Sequence, residues 1–409
     1  MPLARLSLLV ALLAALAIAP PAAAQTKPKP HPKATTTKPK PAPDANVSSG
    51  SFDTSATHVF VIDDDTGTVL FDKAGEERIP TASMSKMMTM YVVFEQLKSG
   101  KLKLDDELPV SEHAWRTGQK DNESKMWVDL NTKVKVDDLI RGVTVQSGND
   151  ACIVLAEGIA GSVDAFVERM NEEAKRIGLN DSHFANVDGL PDPDHYMTAR
   201  DLATLGSHLI HDFPEYYFYF SEREFTYANI KQQNRNPLLY SDSGADGIKT
   251  GHTKEAGFSL TGSVKRNGRR IIAVITGLES NKGRSAEAER IIDYAFRSFE
   301  DVAIVKKGES VDDIPVFMGT ATKVPLVAAR DLAVTLPRAA RKDMKVTVSY
   351  DAPVQAPVAA GKPVGTLTVT APGIEAQTVP LVTGAAAEAL GPAGHMFAAL
   401  EYLIWGRGK

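Results

Sequence analysis

Between residues 84 and 97 the apolar positions follow no single face. Met87, Met88, Met90, Tyr91, Val92, Val93 and Phe94 crowd all sides of a 3.6-residue period. That density predicts a helix buried on every side. Upstream, 58–62 and 68–71 alternate apolar and polar around Asp64-Asp65-Thr66-Gly67, the pattern of two strands joined by a turn. Downstream, helical spacing recurs at 136–141, 149–159, 163–177 and 198–210. Thr198 is placed to cap the last of these, and Asp164 to sit in the first turn of its own helix. Alternation then returns at 258–264 and 270–276 around Asn267-Gly268, a strong hairpin signal. A helix over about 285–299 follows. Strands thus flank a helical middle, which predicts an α+β domain whose antiparallel sheet draws strands from both ends.

From 302 onward the pattern changes. Short alternating runs at 332–336, 345–350, 364–369 and 378–382 are spaced by Pro and Gly, which predicts a small all-β domain over 302–388. It changes again at 391–409, where Met396, Phe397, Leu400, Leu403, Ile404 and Trp405 share one helical face and Arg407 and Lys409 follow. This segment is too short to span a bilayer and suits a membrane-surface helix. A terminal helix docked on the β-domain is the alternative.

The two N-terminal segments belong to no core. Residues 1–24 combine Arg5, an apolar stretch over 6–18 and Ala22-Ala23-Ala24, as in a secretory signal, so export is expected. Residues 25–50 alternate Lys and Pro and are expected to be extended and solvated. The folded catalytic part is therefore placed at 51–301. The formal charge of −5 gives no footprint for nucleic acid. The single cysteine, Cys152, excludes an internal disulfide framework, and its apolar neighbours suggest inert packing.

The candidate chemistry begins at Ser83-Met84-Ser85-Lys86. A Ser and a Lys three apart on a helix share a face, so the amine reaches the hydroxyl. A serine needs a base to act as nucleophile, and a lysine serves only when its pKa is lowered. Lys249, in Lys249-Thr250-Gly251, is the candidate for a second charge that lowers it. Ser147, in Ser147-Gly148-Asn149, can bond both lysines and relay a proton. Asn149 offers a donor and an acceptor to a substrate amide. The oxyanion of a tetrahedral intermediate needs two N–H donors, expected from the backbone of Ser83 and of His252. Gly251 is expected to clear space for a substrate backbone. His252 also invites a Ser-His reading, but no G-x-S-x-G elbow is present. The histidines show no metal spacing, and neither metal nor cofactor is expected.

Three longer strings carry a resemblance: 80–89 around Ser83, 147–152 around Asn149, and 246–253 around Lys249. Asn186-Val187-Asp188-Gly189-Leu190 and Thr198-Ala199-Arg200-Asp201 extend it. They resemble the serine-type D-alanyl-D-alanine carboxypeptidases, the low-molecular-mass penicillin-binding proteins. The resemblance implies a β-lactamase/transpeptidase-like serine domain followed by a β-rich domain. It also implies removal of the terminal D-alanine from peptidoglycan pentapeptides through an acyl-enzyme, covalent inhibition by β-lactams, and attachment to the outer face of the cytoplasmic membrane. Carried over, Ser83 is the nucleophile, Lys86 the base, Ser147 and Asn149 shape the site, and Lys249 tunes it. Thr250 and Arg284 would bind the substrate's terminal carboxylate, and Arg235 would support Lys249. Arg284 in a surface salt bridge is the alternative for that residue. An endopeptidase, a β-lactamase and a non-enzymatic wall-binding scaffold remain as other readings. The missing E-x-x-L-N element and the added β-domain speak against the β-lactamase.

Overall fold

The computed structural model describes residues 52–121, 123–394 and 396. The expected signal segment and Lys/Pro linker lie outside the described residues, as does the expected terminal helix beyond Met396. No helix among the described residues is long and apolar enough to cross a membrane.

In chain order the catalytic part runs β1 (His58–Asp63), β2 (Val69–Lys73), α1 (Lys86–Lys98), β3 (Glu107–Pro109), α2 (Glu112–Gln119), β4 (Lys133–Lys135), α3 (Val136–Thr144), α4 (Asn149–Ala160), α5 (Val163–Arg176) and α6 (Ala199–Asp212). It continues with β5 (Glu224–Tyr227), β6 (Ile230–Gln233), β7 (Ala245–Thr253), β8 (Gly257–Arg266), β9 (Arg269–Leu278) and α7 (Asn281–Ser298). Five strands form one antiparallel sheet in the order β2-β1-β9-β8-β7. β1 therefore pairs with β9, joining the two ends of the domain as expected. Asn267 and Gly268 both take positive φ, 53° and 88°, which the tight β8–β9 hairpin requires. β7 is an outer strand, and it carries Lys249, Thr250 and Gly251.

The sheet is covered on both faces. α7 packs against β8 and β9 over one core, with Ile271, Ile275, Ile291 and Ile292 all buried. α6 packs against β9 and β1 on the other. There α1 lies inside a helical cluster, and Met87, Met88, Met90, Val92, Val93 and Phe94 are wholly inaccessible. The helix that follows the candidate serine is thus clamped on every side. Its neighbours α6 and α5 both start at side-chain caps, the first of them at the expected Thr198. Thr198 Oγ1 accepts from Asp201 N–H at 3.0 Å and Ser162 Oγ from Ala165 N–H at 3.1 Å.

The β-rich part comprises β10 (Phe299–Val305), β11 (Ser310–Phe317), β12 (Lys323–Ala328), β13 (Leu332–Pro337), β14 (Lys345–Tyr350), β15 (Val354–Gln355), β16 (Pro363–Thr370) and β17 (Gln377–Thr383). β10 pairs with β13, and the other six form a second sheet over a core that includes Leu326, Val369 and Leu381. Arg269 ties the two parts together, with Nε 2.6 Å from Asp63 and 3.0 Å from Asp301. Thr335 adds a bond to Asp301 and another to Thr66. Asp63, Asp65 and Asp301 are the only carboxylate group among the described residues close enough to share a cation, and Arg269 already bridges two of them.

Candidate active site

Ser83 lies in a single 3-10 turn, Ala82–Ser85, that feeds directly into α1. The sequence suggested an α-helix there. The tighter turn still brings residue i+3 round to residue i, because 3-10 geometry eclipses them. Lys86 Nζ donates to Ser83 Oγ at 2.7 Å. It also donates to the carbonyl of Asp188 at 2.5 Å. Lys86 is fully buried. Across the site, Lys249 Nζ donates to Ser147 Oγ at 3.0 Å and to the carbonyl of Thr250 at 3.2 Å. The three motifs, far apart in sequence, therefore meet as two Ser–Lys pairs.

Burial pushes both ammonium groups below the ordinary lysine range. For Lys249 the nearby charges of Lys86, Arg235 and Arg284 push further in the same direction. For Lys86, Cys152, Asp188 and Glu123 pull back while Arg235 pushes down. A neutral amine beside the Ser83 hydroxyl is what nucleophile activation requires. Cys152 is buried, and burial pushes its thiol up to about 12, so it stays a neutral packing residue at physiological pH.

Gly251 occupies its place for a reason other than the expected one. A Cβ there would stand 2.8 Å from the carbonyl oxygen of Thr81 and 3.2 Å from Ala82 Cβ. The glycine makes room for the turn that carries Ser83, so the space it clears is filled by the protein's own backbone. Gly189 does the same from another side. Its φ is +81°, and a Cβ would lie 1.9 Å from the carbonyl oxygen of Ala82. His252 lies on the outer strand β7, and its ring stacks on Phe258 at 3.9 Å. Ser83 takes its bond from Lys86, so the Ser-His reading lapses.

Arg284 sits in the first turn of α7 and is almost fully buried. Its guanidinium donates to the carbonyls of Ser259 and Arg235 and to Asn281 Oδ1. Ser259 is the register partner of Gly251, which places Arg284 close to the Lys249–Gly251 strand. No carboxylate of the described residues pairs with it, so the surface salt-bridge alternative fails. Burial, then Arg235, pushes Arg284 down to about 10. Arg235 stands at the rim and donates to Ser124 Oγ at 2.5 Å.

Three contributors escaped sequence reasoning. Asp188 acts through its backbone carbonyl, which no side-chain pattern reveals. Asp150, fully buried, accepts from the N–H groups of Met126 and Trp127, each at 2.9 Å, and of Val128 at 3.3 Å. It thereby fixes the loop beside Asn149, including Trp127 in a left-handed conformation at φ 72°. Glu123, in that loop, accepts from Asn149 Nδ2 at 3.1 Å.

The sequence profile described as D-alanyl-D-alanine carboxypeptidase matches residues 44–280, more than half of the chain. The chain belongs to the D-alanyl-D-alanine carboxypeptidase family. It is thus a serine-type peptidase of the penicillin-binding protein class. The profile of the penicillin-binding protein 5 C-terminal domain matches residues 299–389, the β-rich part. The D-alanyl-D-alanine carboxypeptidase DacA of Haemophilus influenzae is 40% identical over 315 residues, covering 76% of this chain and 80% of that protein. The crystal structure of penicillin-binding protein 5 from the same organism superposes with a TM-score of 0.75 at 36% identity, covering 83% of this chain and 99% of that one. Penicillin-binding protein D2 of Listeria monocytogenes, solved in an ampicillin-bound form, matches with a TM-score of 0.55 at 27% identity over 61% of this chain and all of its own. The carboxypeptidase family resemblance and the α+β domain with an all-β companion, both expected from sequence, therefore hold.

Proposed function

We propose that this carboxypeptidase removes the terminal D-alanine from peptidoglycan pentapeptide stems through a Ser83 acyl-enzyme. Neutral Lys86 takes the hydroxyl proton as Ser83 Oγ attacks the carbonyl carbon of the penultimate residue. The backbone N–H groups of Ser83 and His252 receive the developing oxyanion. The peptide C–N bond then breaks, and the departing amine takes a proton passed through Ser147 between the two lysines. Water hydrolyses the ester and restores the Ser83 hydroxyl. Thr250 and Arg284 take the terminal carboxylate, drawn by the cationic cluster of Lys249, Arg235 and Arg284. Asn149 holds the stem's backbone amide. A β-lactam follows the same first step and remains as a covalent adduct.

The observation that supports this most is the 2.7 Å bond from buried Lys86 to Ser83. Residues 1–24 act in this reading as an export signal and 25–50 as a spacer. Residues 51–301 carry the reaction, 302–388 hold it off the membrane, and 391–409 rest on the outer face of the cytoplasmic membrane, in the periplasm. The test is to incubate the protein with a monomeric pentapeptide muropeptide and a crosslinked dimer together and read the products by mass. Loss of one alanine from the monomer with the dimer intact is expected. Cleavage of the dimer would instead assign an endopeptidase.

A further inference from the structure

Glu123 joins the catalytic amide to the exposed rim. Its side chain is 20% exposed, and its two carboxylate oxygens have different neighbours. Oε2 accepts from Asn149 Nδ2 at 3.1 Å. Oε1 forms an exposed ion pair with Lys120 Nζ at 3.8 Å, too long for a hydrogen bond, and Lys120, 56% exposed, is a partner that a substrate amine would displace. A carboxylate only accepts, so it forces the Asn149 amide to turn its NH2 toward Glu123. Asn149 Oδ1 is then left buried with no partner among the described residues. An orphaned buried acceptor is destabilising, and a bound peptide N–H would satisfy it.

The loop that follows Glu123 is tied to the start of α4 by hydrogen bonds. Asn149 N–H donates to the carbonyl of Ser124 at 2.8 Å, and Asp150 holds the amides of Met126, Trp127 and Val128. The charges are also divided. Lys249, Arg235 and Arg284 gather on the side that suits a carboxylate, while Glu123 is a partly exposed acid beside Asn149.

We infer that Glu123 is a positioning and specificity residue. One oxygen fixes the Asn149 amide, and the other receives the free side-chain amine of a diamino acid at the third position of the stem. This rests on the carboxypeptidase reading above. The added contact is an ion pair at a half-open rim, worth a severalfold preference rather than an absolute one.

The test uses the full chain with two pentapeptides that differ only in whether the third-residue amine is free or N-acetylated. Release of D-alanine gives kcat and KM for each. The wild type is expected to favour the free amine by about fivefold in kcat/KM, carried by KM. In Glu123→Gln the ratio is expected to collapse to about one, because the hydrogen-bond acceptor stays and the charge goes. Glu123→Ala is expected to lower kcat/KM for both peptides, since Asn149 loses its hold. The ratio is measured within one protein, so a change in folding does not mimic it. Equal kcat/KM on the two peptides in the wild type, or an unchanged preference in Glu123→Gln, would overturn the inference while leaving the carboxypeptidase reading intact. Release of no alanine from either peptide by the wild type would overturn both.

Discussion

Lys86 stands between Ser83 and Asp188, giving one hydrogen to the Ser83 hydroxyl at 2.7 Å and another to the Asp188 carbonyl at 2.5 Å. The first bond places the base and the second aims it. The carbonyl is held in turn by the left-handed Gly189, which lets the chain pass against Ala82. Position and protonation state are thus set by different neighbours. Removing the amine should leave the fold and remove the base. Lys86→Met is expected to slow acylation by a fluorescent penicillin by about a thousandfold, within the span of general-base effects. Stopped-flow labelling and thermal melts together check this. Unaltered labelling would exclude Lys86 as the base.

Both lysines have pKa values lowered by burial below the ordinary 10.5. The acidic limb of kcat/KM should therefore fall below that value, and a limb near 10.5 would contradict the assignment. The same shift has a stability consequence. Between the lowered folded value and the unfolded value, the unfolded chain binds more protons, so stability rises with pH across that window. Lys249→Met removes one such group. Its Tm, relative to the wild type, should be highest at the acid end of the stable range and decline as pH rises toward 10.5. A difference independent of pH would count against the buried-charge account.

Arg284 is buried and has no acidic partner among the described residues, with its guanidinium bonded to carbonyls and an amide. Arg284→Leu is expected to raise KM for peptides with a free terminal carboxylate and lower kcat/KM by about thirtyfold, the scale of a charged hydrogen bond. A C-terminally amidated peptide should show little difference between variant and wild type. Equal losses on both would mean that Arg284 acts by packing.

Gly189→Ala tests the turn beneath the nucleophile. The new Cβ meets backbone at 1.9 Å in a conformation only glycine adopts readily. Loss of about 2–4 kcal/mol in urea unfolding is expected. Acylation should also slow, because Ala82 precedes Ser83. A neutral result in both would show that the turn relaxes freely.

Elements with a dense apolar run, a capping residue or a turn signal were legible in sequence. The buried α1, the capped α6 and the Asn267-Gly268 hairpin each announced themselves locally. β3, β4, β5 and β6 did not, since they are three or four residues long and mostly exposed. β11 hid behind Asp312, Asp313 and Pro315, residues that strands usually avoid. At the site, side chains within motifs were readable and backbone work was not. The Asp188 carbonyl, the amides held by Asp150 and the true neighbour of Gly251 depend on segments that meet only in the fold. Glu123 lies in a loop, where no period marks it.

The most direct test is peptide mapping after penicillin treatment of the wild type, Ser83→Ala and Lys86→Met. A single adduct on the Ser83 peptide is predicted in the wild type, none in Ser83→Ala, and one formed about a thousandfold more slowly in Lys86→Met. An adduct on Ser147 or Cys152, or persistent labelling of Ser83→Ala, would contradict a Ser83 acyl-enzyme activated by Lys86.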